Sequence, residues 1–316
     1  MMEHVKFKNE MPFSDLVMIA KDIIGNSNKI EEKTGLKTLG TVVGVSDGRY
    51  AANRTLCFLD KPPKQGNIER LRESFIVTNK DIAPALGDHW LMIVDDPRAL
   101  FIDLVYKVKA TTGFSCFTSM VDANPNIHPE ADVHPQAVIE EGVFIGAGSA
   151  IAAGCVIKRG TYIGCNVIVR ENTVIGCDGI ALYKANDGRV LRFPHLAGVI
   201  IEDEVEVGAS CVLPRGVMTS SRIGPKTVIG NQSNVGHGVT VGRKVWISVG
   251  CLIGGNTTVG DGSTFGLGVN VRDNLRIGNN CSIGMGSVVV KDAQDGSSLF
   301  GNPAKKLHRI SAGPER

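Results

Sequence analysis

The sequence predicts an α/β N-terminal domain followed by a left-handed parallel β-helix. Three observations carry that expectation. Ile127, Val133, Ile139, Ile145, Ile151, Ile157, Ile163, Val169 and Ile175 stand six residues apart, and the same register returns from Ile223 to Val289. Six fits neither a helix nor a plain strand, but three such units make an 18-residue triangular coil whose aliphatic side chains stack inward on the next coil. Glycine follows many of these residues, as at Gly146, Gly224 and Gly242, where a tight turn tolerates little side chain. Lastly, the register breaks in two places only, between Ile175 and Ile201 and between Leu213 and Ile223, so the chain extrudes loops at corners of an otherwise regular stack. Ile201, Val207 and Leu213 supply three units between the two breaks, giving about eight coils in all and, at a strand spacing of about 4.8 Å, a prism roughly 40 Å long.

The N-terminal domain is expected over residues 1–117. Leu16, Val17, Ile19, Ala20, Ile23 and Ile24 recur at helical spacing, with Ser14 as a candidate cap and Gly25 as a stop. Short apolar runs at Thr38–Val45, Thr55–Leu59, Phe75–Thr78 and Trp90–Val94 read as strands. Asp96-Pro97 opens a second helix, an N-cap followed by the residue suited to the first turn. The β-helix is expected over 118–292 with an inserted loop at 176–200, and 293–316 as a tail without room for a long helical extension. Flat faces bearing small or apolar residues suit packing against copies of the same chain, so a homotrimer is expected.

With 316 residues and a formal charge of +2, the chain has room for one large and one small domain. Lys and Arg are interspersed with Asp and Glu, which gives no case for nucleic acid. The N-terminus lacks the apolar core of a leader and no 18-residue apolar run occurs, so a cytoplasmic protein without a membrane span is expected. Of the eight cysteines, Cys155, Cys211, Cys251 and Cys281 each lie four residues after an inward aliphatic residue. That phase assigns them to packing, and no CxxC pair argues for metal.

Seven histidines occur. His128 and His134 precede prolines at equivalent phases and read as solvated turn residues. His237 lies two residues after inward Val235, between Gly236 and Gly238, where an imidazole with a near-neutral pKa suits a general base. Eighteen residues on, one coil higher, stands Gly255, whose N–H could serve an oxyanion. His195 sits in the long loop, where a trimer could bring it to a neighbour's cleft. One histidine per coil region is too few for a converging zinc site, so no metal is expected.

The order of these parts, the loop Gly176-Cys177-Asp178-Gly179 to Arg192-Phe193-Pro194-His195, the run Gly198 to Ala209, Arg215-Gly216, and Asn231-Gln232 to His237 together resemble the UDP-3-O-acylglucosamine N-acyltransferases of lipid A synthesis. The resemblance spans nearly the whole chain. It implies N-acylation of a nucleotide-linked amino sugar, with His237 on the catalytic histidine and Gly255 on the oxyanion amide. It also implies Phe58 as the ring that stacks on the nucleotide base, and His195, Arg215, Asn231 and Lys61 near the substrate. The differences are specific. The family's acidic residue seven before the histidine is Gly230 here, so whatever orients the imidazole is different. Lys61 and Lys64 replace the Asn and Tyr that accompany the stacking ring, leaving uracil and thymine both open. Ile180-Ala181-Leu182-Tyr183 replaces an aromatic loop. The C-terminal extension associated with acyl carrier protein gives way to Gly301-Asn302-Pro303-Ala304-Lys305, similar to the ending of CoA-dependent sugar acetyltransferases. That ending implies acyl-CoA as donor, with Arg276, Lys291, Lys305 and Lys306 meeting its phosphates. Acyl carrier protein is the alternative donor, and a non-catalytic scaffold the alternative class.

Overall fold

The computed structural model describes residues 5–25, 31–33, 40–48, 52–62, 68–71, 73–87, 89–115 and 125–306. The chain divides into two units. The first holds Met1–Ser119 together with Ile180–Ala197 and Val217–Thr219, and the second holds the remainder. Residues 180–197 therefore cluster with the N-terminal unit, where sequence had grouped the long loop with the β-helix.

The first unit carries β1 (Val5–Pro12), α1 (Phe13–Ile24), β2 (Glu31–Lys33), β3 (Thr41–Val45), β4 (Thr55–Leu59), β5 (Phe75–Thr78), β6 (Leu91–Ile93) and α2 (Pro97–Thr111). Its six strands are ordered β1-β3-β4-β5-β6-β2. The central four run parallel, while β1 and β2 close the edges antiparallel. All four residues of β5 are buried, as befits a parallel strand covered on both faces. Trp90 lies edge-on to Phe13 at 4.4 Å and against Phe75 at 4.5 Å. Asp96 caps α2, its carboxylate accepting from the Ala99 N–H at 3.0 Å. Ser14 does not cap α1, whose N-cap is Pro12; the Phe13 N–H donates instead to the Gly40 carbonyl, and the Ser14 hydroxyl to Asp15. β1, unforeseen in the sequence reading, alternates buried Val5 and Phe7 with exposed Lys6 and Lys8.

The second unit is the parallel β-helix. Its first face stacks eight strands from Asn126–Ile127 to Arg276–Ile277, and its third stacks eight from Val138–Ile139 to Val288–Val289. The second face runs from Asp132–Val133 to Ser282–Ile283 and then takes on Ser298–Phe300 and Lys305–Lys306. Register is 18 residues within a continuous stretch, as in Ile229 on Ile247 on Phe265 on Ile283. Across the long insertion it survives as Ile163 on Ile201. The inward residues form one apolar column, with Cys155, Cys211, Cys251 and Cys281 buried in it.

The glycines after the inward residues are needed for a reason other than turn conformation. A Cβ on Gly146 would stand 2.6 Å from the Gly164 carbonyl oxygen, because the next coil's backbone passes directly over it. The left-handed turn position falls two residues later, where Gly148 (φ 68), Lys226 (φ 60) and Lys244 (φ 54) all serve.

The hexapeptide pattern does not end at Val289 as the sequence suggested. Ala293 bridges to Ile277 and Leu299 pairs with Ile283, and both are buried. The last coil is 16 residues rather than 18, which shifts the period without abolishing it. Lys305–Lys306 then folds back antiparallel on this last strand, placing two lysines on the sheet's edge.

Candidate active site

Each coil passes from the third face to the first through one corner, at residues 140–143, 158–160, 236–239, 254–257 and 272–275. Both extruded segments leave the register at this same corner, after Ile175 and after Leu213. His237 stands there, just past Asn234–Val235.

The corner's backbone is pinned from below and above. The Gly238 N–H donates to Ser221 Oγ at 2.9 Å, and the Asn256 N–H donates to the His237 carbonyl at 2.8 Å. A Cβ on Gly255 would lie 2.7 Å from His237 Nε2 and 2.9 Å from Cε1. The imidazole thus rests on the bare Cα of the residue one coil above, and only glycine leaves it that room. Burial lowers the His237 pKa below its ordinary 6.5, partly offset by the negative charge of Asp273. A pKa lowered by burial holds the ring toward its neutral form, the form that can accept a proton.

Asp273 went unremarked in the sequence, although the signal was present: 237, 255 and 273 are successive 18-residue steps. Lys291 is the next step at the same corner, and Asp292 beside it accepts from the Arg276 N–H at 2.9 Å. Lys305 and Lys306 lie on the second face. The four cations expected around a donor phosphate are thus divided, two at or next to the His237 corner and two on another face.

Arg215 is buried. Its Nε donates to the Gly176 carbonyl at 2.6 Å, its Nη2 to the Arg159 carbonyl at 2.8 Å, and Asp178 lies 3.6 Å away. The guanidinium ties coils together where a substrate contact was expected. Asn231 lies at the preceding corner of its coil, its Oδ1 accepting from the Ala209 N–H at 2.9 Å; the structure does not place it at the His237 corner.

In the first unit, Phe58 packs against Phe101 at 4.9 Å and Phe193 at 6.0 Å. The Arg98 guanidinium lies 5.5 Å over the Phe58 ring and 5.0 Å over Tyr183, and pairs with Asp60. Tyr183 donates to Asp96 at 2.9 Å; burial and then that carboxylate push its pKa up to about 12. The face of Phe58 is thus covered by the chain's own arginine. Lys61 is exposed just beyond β4, and Lys64 falls outside the described residues. His195, expected in the long loop where a trimer could bring it to a neighbour's cleft, is buried at 5% exposure. A separate cleft of about 380 Å³, lined by Ile23, Val94, Leu100, Asp103 and Arg189 among others, does not include Phe58. Among the described residues no three His, Cys, Asp or Glu side chains converge as a metal site, and no helix is long and apolar enough to cross a membrane.

No family model matches the chain. It is 30% identical over 181 residues to a UDP-3-O-acylglucosamine N-acyltransferase of Coxiella burnetii, an overlap covering 51% of this chain and 53% of that one. It is 36% identical over 94 residues to a Rhizobium meliloti protein of the same name, covering 28% and 27% of the two chains. The chain spans about half the length of the first and about a quarter of the second. Among solved structures it is similar to a UDP-N-acetylglucosamine acyltransferase of Francisella novicida, with a TM-score of 0.48, 20% identity, and coverage of 58% and 68%. With its stacked six-residue units and a histidine laid on the glycine one coil above, the chain is a hexapeptide-repeat β-helix protein that resembles the UDP-3-O-acylglucosamine N-acyltransferases.

Proposed function

We propose that the chain is an acyltransferase that moves an acyl group from acyl-CoA to the amino group of a UDP- or dTDP-linked amino-deoxysugar. The observation that carries this reading is the His237 imidazole resting on Gly255 at the one corner where both loops leave the coils. The amine nitrogen attacks the thioester carbon and must shed a proton as the C–N bond forms; His237 takes it. The Gly255 N–H meets the carbonyl oxygen as it becomes an oxyanion. The tetrahedral centre then collapses, the C–S bond breaks, and the departing thiolate takes the proton back from the imidazolium.

Lys291 and Arg276 would meet the donor's phosphates, and Phe58, with Lys61 beyond the same strand, the nucleotide base once Arg98 moves aside. The active form is a homotrimer. Trp246 and Leu252 are exposed on the second and third faces, and Val249, Leu267 and Met285 form an exposed apolar ladder at the corner between them, a surface suited to another protomer. We place the protein in the cytoplasm, serving surface polysaccharide or lipopolysaccharide assembly.

The second reading is the lipid A N-acyltransferase itself, with a hydroxyacyl carrier protein as donor, and it is favoured by the similarity to the Coxiella relative. Purified protein offered acyl-CoA and acyl carrier protein in parallel, with a panel of UDP- and dTDP-aminosugars and mass spectrometry of products, separates the two. Acylation from acyl-CoA is expected. Transfer from carrier protein alone would replace this reading by the second, and absence of any transfer or nucleotide binding would favour a non-catalytic scaffold.

A further inference from the structure

We infer that Asp273 is the positioning residue for His237, supplying from two coils above the negative charge that steadies the imidazole as it takes up a proton. The inference rests on the reading of His237 as the general base.

The coil between His237 and Asp273 presents two glycines, Gly254 and Gly255, at this corner. The imidazole covers Gly255, and a Cβ on Gly254 would stand 2.3 Å from the Asp273 nitrogen, so neither glycine interposes a side chain. A ladder of hydrogen bonds fixes the carboxylate relative to the histidine. The Asn256 N–H donates to the His237 carbonyl and the Asn274 N–H to the Gly255 carbonyl, each at 2.8 Å. Asn256 Nδ2 donates to Asn274 Oδ1 at 3.4 Å, and Asn274 Nδ2 donates to the Asp273 carboxylate. Both asparagines occupy left-handed turn positions (φ 57 and 58), a conformation asparagine tolerates.

The charges around the ring support the same assignment. The corner directly above, residues 254–257, carries none, and the next carries Arg272 and Asp273. On the loop below, Arg215 is turned to the Gly176 and Arg159 carbonyls. The negative charge of Asp273 acts on the imidazole against the effect of burial. Its carboxylate favours the imidazolium that forms as the amine is deprotonated, and so strengthens the base. It also answers the absence of an acid at Gly230: the charge comes from further along the prism edge instead of from earlier in the same coil.

The test is a pH titration of the His237 ring by NMR of histidine-selectively ¹³C-labelled protein, with His237→Asn assigning the signal. In Asp273→Asn the midpoint should fall by about 0.3–1 pH unit, the effect of removing one partly solvated charge. Asp273→Glu should restore most of it, and raised salt should shrink the difference. Asp292→Asn, which removes a carboxylate from the next coil, should leave the midpoint in place. An Asp273→Asn midpoint equal to wild type in folded protein would overturn the inference. Because the titration needs no turnover, inactivity of the wild-type protein toward every donor would count against the proposed function and not against this pairing. Where turnover is measured, the acid limb of the rate profile should move to lower pH in Asp273→Asn, a shift that a merely structural role would not produce.

Discussion

In the β-helix each inward side chain meets its counterpart one coil away, as Phe265 meets Ile247 and Ile283. In the N-terminal unit the contacts are individual: Trp90 fits Phe13 and Phe75, and Tyr183 reaches Asp96 across 87 residues of sequence. Repetition makes the first region rigid along its axis and places residues 18 apart at matching positions on one edge. That is what a base and an amide donor require, since catalytic groups tolerate little misplacement. Individual contacts instead set each residue of the second region separately, as where the Arg98 guanidinium lies over the candidate base-stacking ring of Phe58.

Three substitutions sharpen this contrast. Phe265→Ala empties a column that cannot close without bending the coils on either side, and should cost about 3–5 kcal/mol in denaturant unfolding. A cost under about 1 kcal/mol would mean that the stack relaxes freely. Arg215→Ala leaves the Gly176 and Arg159 carbonyls without their buried donor and should cost about 1–3 kcal/mol. It should also speed hydrogen exchange across 176–179 while leaving 258–289 protected. Tyr183→Phe removes one hydrogen bond to a carboxylate and should cost about 1 kcal/mol, visible as faster exchange confined to the 182–192 hairpin. Exchange spreading into the coils would show that the two units unfold together.

The same contrast explains how much was legible in the sequence. Inward positions of the coils could be read directly because a fixed 18-residue step sets them. Ala293 and Leu299 escaped because the last coil is two residues short, so a strict count loses them. Asp273 obeyed the rule and needed only one more step beyond Gly255. Arg215 could not be read: its partners lie 39 and 56 residues earlier, and nothing local distinguishes an arginine that ties coils from one that holds a substrate. His195 was read from its loop as a residue that a trimer could bring to a neighbour's cleft, whereas it is buried among residues that cluster with the N-terminal unit. β1 had the alternation of an edge strand, Val5-Lys6-Phe7-Lys8, but so short a run is ambiguous without its partner β3.

The most direct test of the central claim is single-turnover acyl transfer by His237→Asn beside wild type, with melting temperature and oligomeric state followed for both. Loss of a general base predicts a rate lower by about 10²- to 10⁴-fold in a protein that is otherwise folded and assembled as before. A variant that transfers at the wild-type rate would contradict the assignment of His237 as the proton acceptor.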